Sequence, residues 1–109
     1  MFKITESPEF THKVVVPVPV DGGFKDETLM ARFRVTSQDR LAEIADATPG
    51  NYAALVDAIV VSLDDLADGD GKPLPYNAEV RKAVLDLPYV RTALIRAYSE
   101  AVSGARRGN

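Results

Sequence analysis

The chain has 109 residues, 46% of them hydrophobic, a formal net charge of −3 and no cysteine. That is enough for one modest core and too apolar for a disordered segment. It excludes disulfides, thiolate catalysis and cysteine-ligated zinc, and no apolar run approaches the ~18 residues of a membrane span.

The opening MFKITESPEF lacks the basic-then-apolar order of a signal peptide, and the lack of cysteine fits a cytoplasmic protein. Phe2 to Thr5 reads as a short opening strand, ended by Ser7-Pro8. In His12–Val20 the valines 14, 16, 18 and 20 share one face at period two, and Pro17 and Pro19 share the other parity. Both missing N–H donors therefore point to one edge, and the segment is expected at the margin of a sheet with its free side blunted. Asp21-Gly22-Gly23 signals a turn. The return strand is expected over Thr28–Val35, with Leu29, Ala31, Phe33 and Val35 inward and residues 24–27 in a long hairpin tip.

After Val35 the period lengthens. Thr36 or Ser37 can cap a first helix carrying Leu41, Ile44 and Ala45, which Thr48-Pro49-Gly50 ends. Asn51 caps a second, whose apolar residues Tyr52, Leu55, Val56, Ile59, Val60, Leu63 and Leu66 give the strongest helical spacing in the chain. Asn77 caps a third, with Val80, Ala83, Val84 and Leu87 inward. Pro88 suits the first turn of a fourth, which runs to about Ser103 with Val90, Leu94, Ala97, Ala101 and Val102 inward, until Gly104 stops it. The fold class is thus α+β: an N-terminal antiparallel hairpin or small sheet over 1–35, about four helices over 36–104, and a frayed tail at 105–109, in a single domain.

Candidate chemistry is sparse. From Asp68, a calcium loop would have Asp70 at its third position and Glu79 at its twelfth, but Lys72 and Pro73 stand where a ligand and a glycine are needed. Asp-Gly twice, then Pro-Leu-Pro, describes a turn instead. His12 is the one histidine and has no partner in sequence; no nucleophile elbow or phosphate loop is present. Asp64 and Asp65 are neighbours and do not converge on one site. No catalytic residue, cofactor or metal is expected. Charge is unevenly spread: residues 1–76 hold seven basic and thirteen acidic side chains, residues 77–109 six and three. Arg81, Lys82, Arg91, Arg96, Arg106 and Arg107 could form a basic patch, but the acidic body argues against nucleic acid. What remains is protein contact, for which the candidates are Pro17, Pro19, Tyr76, Tyr89 and Tyr98; Tyr52 is a further aromatic contact feature.

From Ile59 the run IVVSLDDLADGDGKPLPYNAEVRKAVLDLPYVRTALIRAYSEA resembles the tail assembly chaperones of long-tailed phages and prophages. The elements that carry the resemblance are Val60-Val61, Asp70-Gly71, Leu74-Pro75-Tyr76-Asn77, Val84-Leu85, Pro88 and Ala97-Tyr98. The Val-Pro hairpin followed by Ala31-Arg32-Phe33-Arg34 is similar to the family's opening. Many members carry a tryptophan near the end of the central helix, where this chain has Leu63. The resemblance implies a non-enzymatic protein that keeps the tape measure protein soluble, helps recruit the major tail tube protein, self-associates, and leaves before the particle is complete. It would act in the cytoplasm of the bacterial host, away from membrane and nucleic acid. The rival readings are a small structural tail or connector subunit and a nucleic-acid-binding regulator.

Overall fold

A computed structural model describes residues 1–5 and 8–104. Three strands form one antiparallel sheet: β1 (Glu9–Val20), β2 (Gly23–Arg34) and β3 (Val60–Asp64), in the order β1-β2-β3. Helices α1 (Gln38–Ala47) and α2 (Tyr52–Ile59) intervene between β2 and β3; α3 (Ala78–Leu85) and α4 (Pro88–Ser103) follow. This is the expected α+β class, with the third strand drawn from the helical part.

The β1–β2 hairpin is longer and tighter than the sequence suggests. Pairing continues to Val20↔Gly23, so the turn is only Asp21-Gly22 and residues 24–27 lie in β2. Gly22 has φ +81°, a left-handed conformation that a side chain resists, which is why the turn needs glycine there. Pro17 and Pro19 sit opposite Asp26 and Phe24 in an unbroken ladder. A ladder continuous across two prolines requires their nitrogens to face away from β2. The blunted side is therefore the outer edge, as the parity argument requires.

Two expectations fail on the strands. Residues 1–5 form no strand, and Phe2 and Ile4 are 89% and 92% exposed. The long second helix stops at Ile59, and Val60–Asp64 pairs with β2 instead. Val60 and Val61 are β-branched and lose side-chain freedom in a helix, while the open edge of β2 offers them a ladder. Val60 and Leu63, three apart, should face opposite ways on a strand, yet both are buried. A bulge reconciles them: Arg32 pairs with Ser62 and Phe33 with Val60, so Val61 is the extra residue.

The core lies between one sheet face and two helices. Val14, Val16, Leu29, Ala31, Phe33, Val60 and Leu63 come from the sheet; Val56 and Ile59 from α2; Val90, Ala93, Leu94 and Tyr98 from α4. The Phe33 ring lies 5.6 Å from both the Phe10 and the Tyr98 rings. Against expectation, Val35 is only half-buried and Val102 is exposed. The tail at 105–109 lies outside the described residues.

Candidate functional site

Capping fixes the helices that frame the surface. The Ser37 hydroxyl accepts from the Arg40 N–H at 3.1 Å and starts α1; the Asn51 side chain accepts from Ala53 N at 3.1 Å and starts α2; Asn77 accepts from Val80 N at 2.9 Å and starts α3. Each such cap is worth about 1 kcal/mol. Gly50, at φ +76°, reverses the chain between α1 and α2. The two helices then lie side by side, with α4 beyond them.

None of the residues of α1 is buried. Its stripe of Leu41, Ala42 and Ala45 instead forms one wall of a groove of about 330 Å³. Leu55 and Ile59 of α2 form the floor, and Ile95, Tyr98 and Ser99 of α4 the far wall. A second groove, of about 380 Å³, runs between the outer edge of β1 and the other side of α4. Its lining mixes signs: Lys13 and Arg96 with Asp26 and Glu100, around Val15 and Pro17. A smaller one, of about 190 Å³, has Tyr89 and Leu66 over Val18 and Leu29.

The five candidate contact residues do not converge. Pro17 lines the β1–α4 groove, and Pro19 is exposed near the hairpin tip. Tyr89 is half-buried against Leu66. The Tyr76 hydroxyl accepts from the Arg81 guanidinium at 2.9 Å, which fixes its ring against the body of the protein. Tyr98 is a correction: only 6% exposed, it accepts from the Thr36 N–H at 3.0 Å and packs on Phe33. It ties α4 to the end of β2 and has almost no surface for a partner. The apolar stripe of Leu41 and Ala45 is visible in the sequence, but spacing cannot tell a covered apolar face from an open one.

Arg81 joins several parts of the chain. It donates to Asp57 Oδ1 at 2.9 Å, to the Val60 carbonyl at 3.0 Å and to the Tyr76 hydroxyl. Burial by itself pulls its pKa down, but the hydrogen bonds to Tyr76 and Asp57 outweigh it and leave the group above its ordinary value. The carbonyls it covers are those where α2 gives way to β3, so it holds the helix end in place of further helical turns. Lys82 pairs with Asp86 at 3.1 Å. Two members of the proposed basic patch are thus engaged within the protein, and Arg106 and Arg107 lie outside the described residues.

The Asp68 loop is a tight turn. Asp68 Oδ1 accepts from the N–H groups of Asp70 (2.8 Å) and Lys72 (3.0 Å), and Ala67 bridges to Pro73. Among the described residues no group of three or more His, Asp or Glu side chains is placed to hold a metal ion. His12 is exposed at the rim of the β1–α4 groove. Among the described residues no helix is long and apolar enough to cross a membrane. No family model, no curated protein and no solved structure matches the chain.

Proposed function

We propose that this chain is a tail assembly chaperone of a long-tailed phage or prophage. It binds the tape measure protein in the host cytoplasm, keeps it soluble, helps bring tail tube subunits to it, and catalyses no reaction. The observation that carries the reading is the groove between α1, α2 and α4, whose first wall is a helix with an apolar stripe and no buried residue. A helix that contributes so little to its own core is placed to contribute to someone else's. The Leu74-Pro75-Tyr76-Asn77 start of α3 and the Ala97-Tyr98 pair of α4 supply the resemblance on which the client's identity rests.

Self-association belongs to the same reading, since weak single contacts become useful when many copies line one long client. Quantitative mass spectrometry of purified particles separates a chaperone from a structural subunit. The chaperone reading expects the chain to be absent or far below one copy per tail ring. A stoichiometric amount in finished virions would replace it with the tail or connector subunit.

A further inference from the structure

We infer that residues 1–5 of one copy of this chain add as a strand to the outer edge of β1 in a second copy, along Glu9–Val15. Parity sets the site. Pro17 and Pro19 turn their nitrogens away from β2, so the odd-numbered residues of β1 direct their N–H and C=O groups outward. Pro8 has the opposite parity, and its carbonyl turns inward to accept from the Val35 N–H at 2.8 Å. The blunting covers only part of the edge. Thr11, Lys13 and Val15 are exposed and keep their outward N–H groups, and among the described residues no backbone hydrogen bond engages them. Open donors and acceptors at strand spacing are completed by an extended chain. A helix, whose backbone bonds are already closed, cannot complete them.

The surroundings of the edge select among extended chains. Helix α4 packs beneath β1. Two β1 strands paired directly would lie about 4.8 Å apart. Their two α4 helices would then be closer than the roughly 8–10 Å that packed helices need. The incoming strand must therefore come without a helix beneath it. The groove beside the edge, about 380 Å³, has a balanced charged lining of Lys13 and Arg96 against Asp26 and Glu100, so it favours no strongly charged chain. To the same lining α4 contributes Ala93 and Ala97, small residues that leave room for large apolar side chains. Residues 1–5 meet each requirement. They form no helix or strand of their own, and Phe2 and Ile4 share one side at period two and are exposed. Phe, Ile and Thr also suit a strand. Return onto the segment's own edge would need a reversal at Glu6-Ser7, which lacks the glycine or asparagine of a two-residue hairpin turn. Pairing with a second copy needs no reversal.

The pairing gives a surface to the self-association proposed above; it rests on that reading only for its use in lining a client. The test is sedimentation of the full chain over a concentration series. The intact protein should associate as concentration rises. Removing residues 1–5, or changing Phe2→Asp with Ile4→Asp at their exposed positions, should weaken association at least about tenfold. Lys13→Pro should do the same, because it deletes an outward N–H in the parity where β1 already carries two prolines. Its circular dichroism spectrum should be unchanged, and Val15→Pro serves in its place if Lys13→Pro does not fold. The deciding sample mixes the chain lacking residues 1–5, which keeps an open edge, with Lys13→Pro, which keeps the segment. The two should bind each other more tightly than either binds itself, a gain that misfolded protein cannot mimic. A monomer at every concentration, association that survives all these changes, or a mixture no tighter than its components would overturn the inference. A monomeric chain that still solubilises a tape measure protein would remove the pairing and keep the function. Association through this edge with the client left insoluble would do the opposite.

Discussion

Arg81 reaches acceptors 20 to 24 positions back in the sequence and holds the point where a helix becomes a strand. Its ion pair with Asp57 is the weaker part of that contact, because the Asp57 side chain is 75% exposed and solvent screens it. The carbonyls are the less exposed part of it, and Arg81→Met removes the guanidinium N–H groups that reach them. Urea unfolding should show Arg81→Met costing about 1–3 kcal/mol and Asp57→Ala less than about 1 kcal/mol. Equal costs would return the weight to the ion pair. The folded pKa of Arg81 is raised, so its stabilisation is complete below the unfolded value and fades only as pH climbs through the raised one. Both lie far above neutrality, and the penalty of Arg81→Met should therefore be the same at pH 6 and pH 9. The caps Ser37, Asn51 and Asn77 were legible because each acts within three residues of itself. Arg81 was legible only as a positive charge, because its partners come together through the fold.

Helix α2 and strand β3 show how two elements can read as one. The bulge at Val61 buries Val60 and Leu63 at a separation of three, the same interval that marks one face of a helix. A periodic pattern thus continued across a change of structure, and only the β-branched pair Val60-Val61 hinted at the break. The hairpin tip was misplaced for a different reason: Phe24 to Glu27 looks like a loop by composition, and the two-residue turn overrides it. Gly22 and Gly23 have open space around them and differ in φ, which is left-handed only at Gly22. Gly22→Ala should lower stability by about 1 kcal/mol in thermal or denaturant unfolding, and Gly23→Ala should be near neutral or mildly stabilising. Similar effects at both positions would contradict the turn geometry. At the next element, α1 has no buried residue, whereas α4 has Val90, Ala93, Leu94 and Tyr98. Amide hydrogens of α1 should exchange through local opening well before those of α4, and a bound partner should slow α1 most. Uniform protection across both helices would mean that α1 is not the open wall described.

Across the whole molecule the sheet and α4 form a stable base, and α1 with the neighbouring faces of α2 and α4 forms an apolar surface left open. The α+β class and every helix start could be read from capping and periodicity, because those signals are local. The groove could not, because it depends on how α1 and α4 are placed across the 40 residues, 48–87, that separate them. The candidate site was only partly anticipated: Tyr98 stands in its far wall but is buried and supports the core, and Pro17 lines a different groove. Tyr98→Ala should therefore not be used to test partner binding, since loss of a buried aromatic costs about 3–5 kcal/mol on its own. The central claim, that this chain uses its open apolar surface to hold a long helical client, is tested most directly by co-expression with a phage tape measure protein. The fraction of tape measure protein in the soluble lysate should rise several-fold and co-purify with this chain, and Ala45→Arg should abolish both effects. A tape measure protein that stays insoluble at every expression ratio of the folded, unmodified chain would contradict the account.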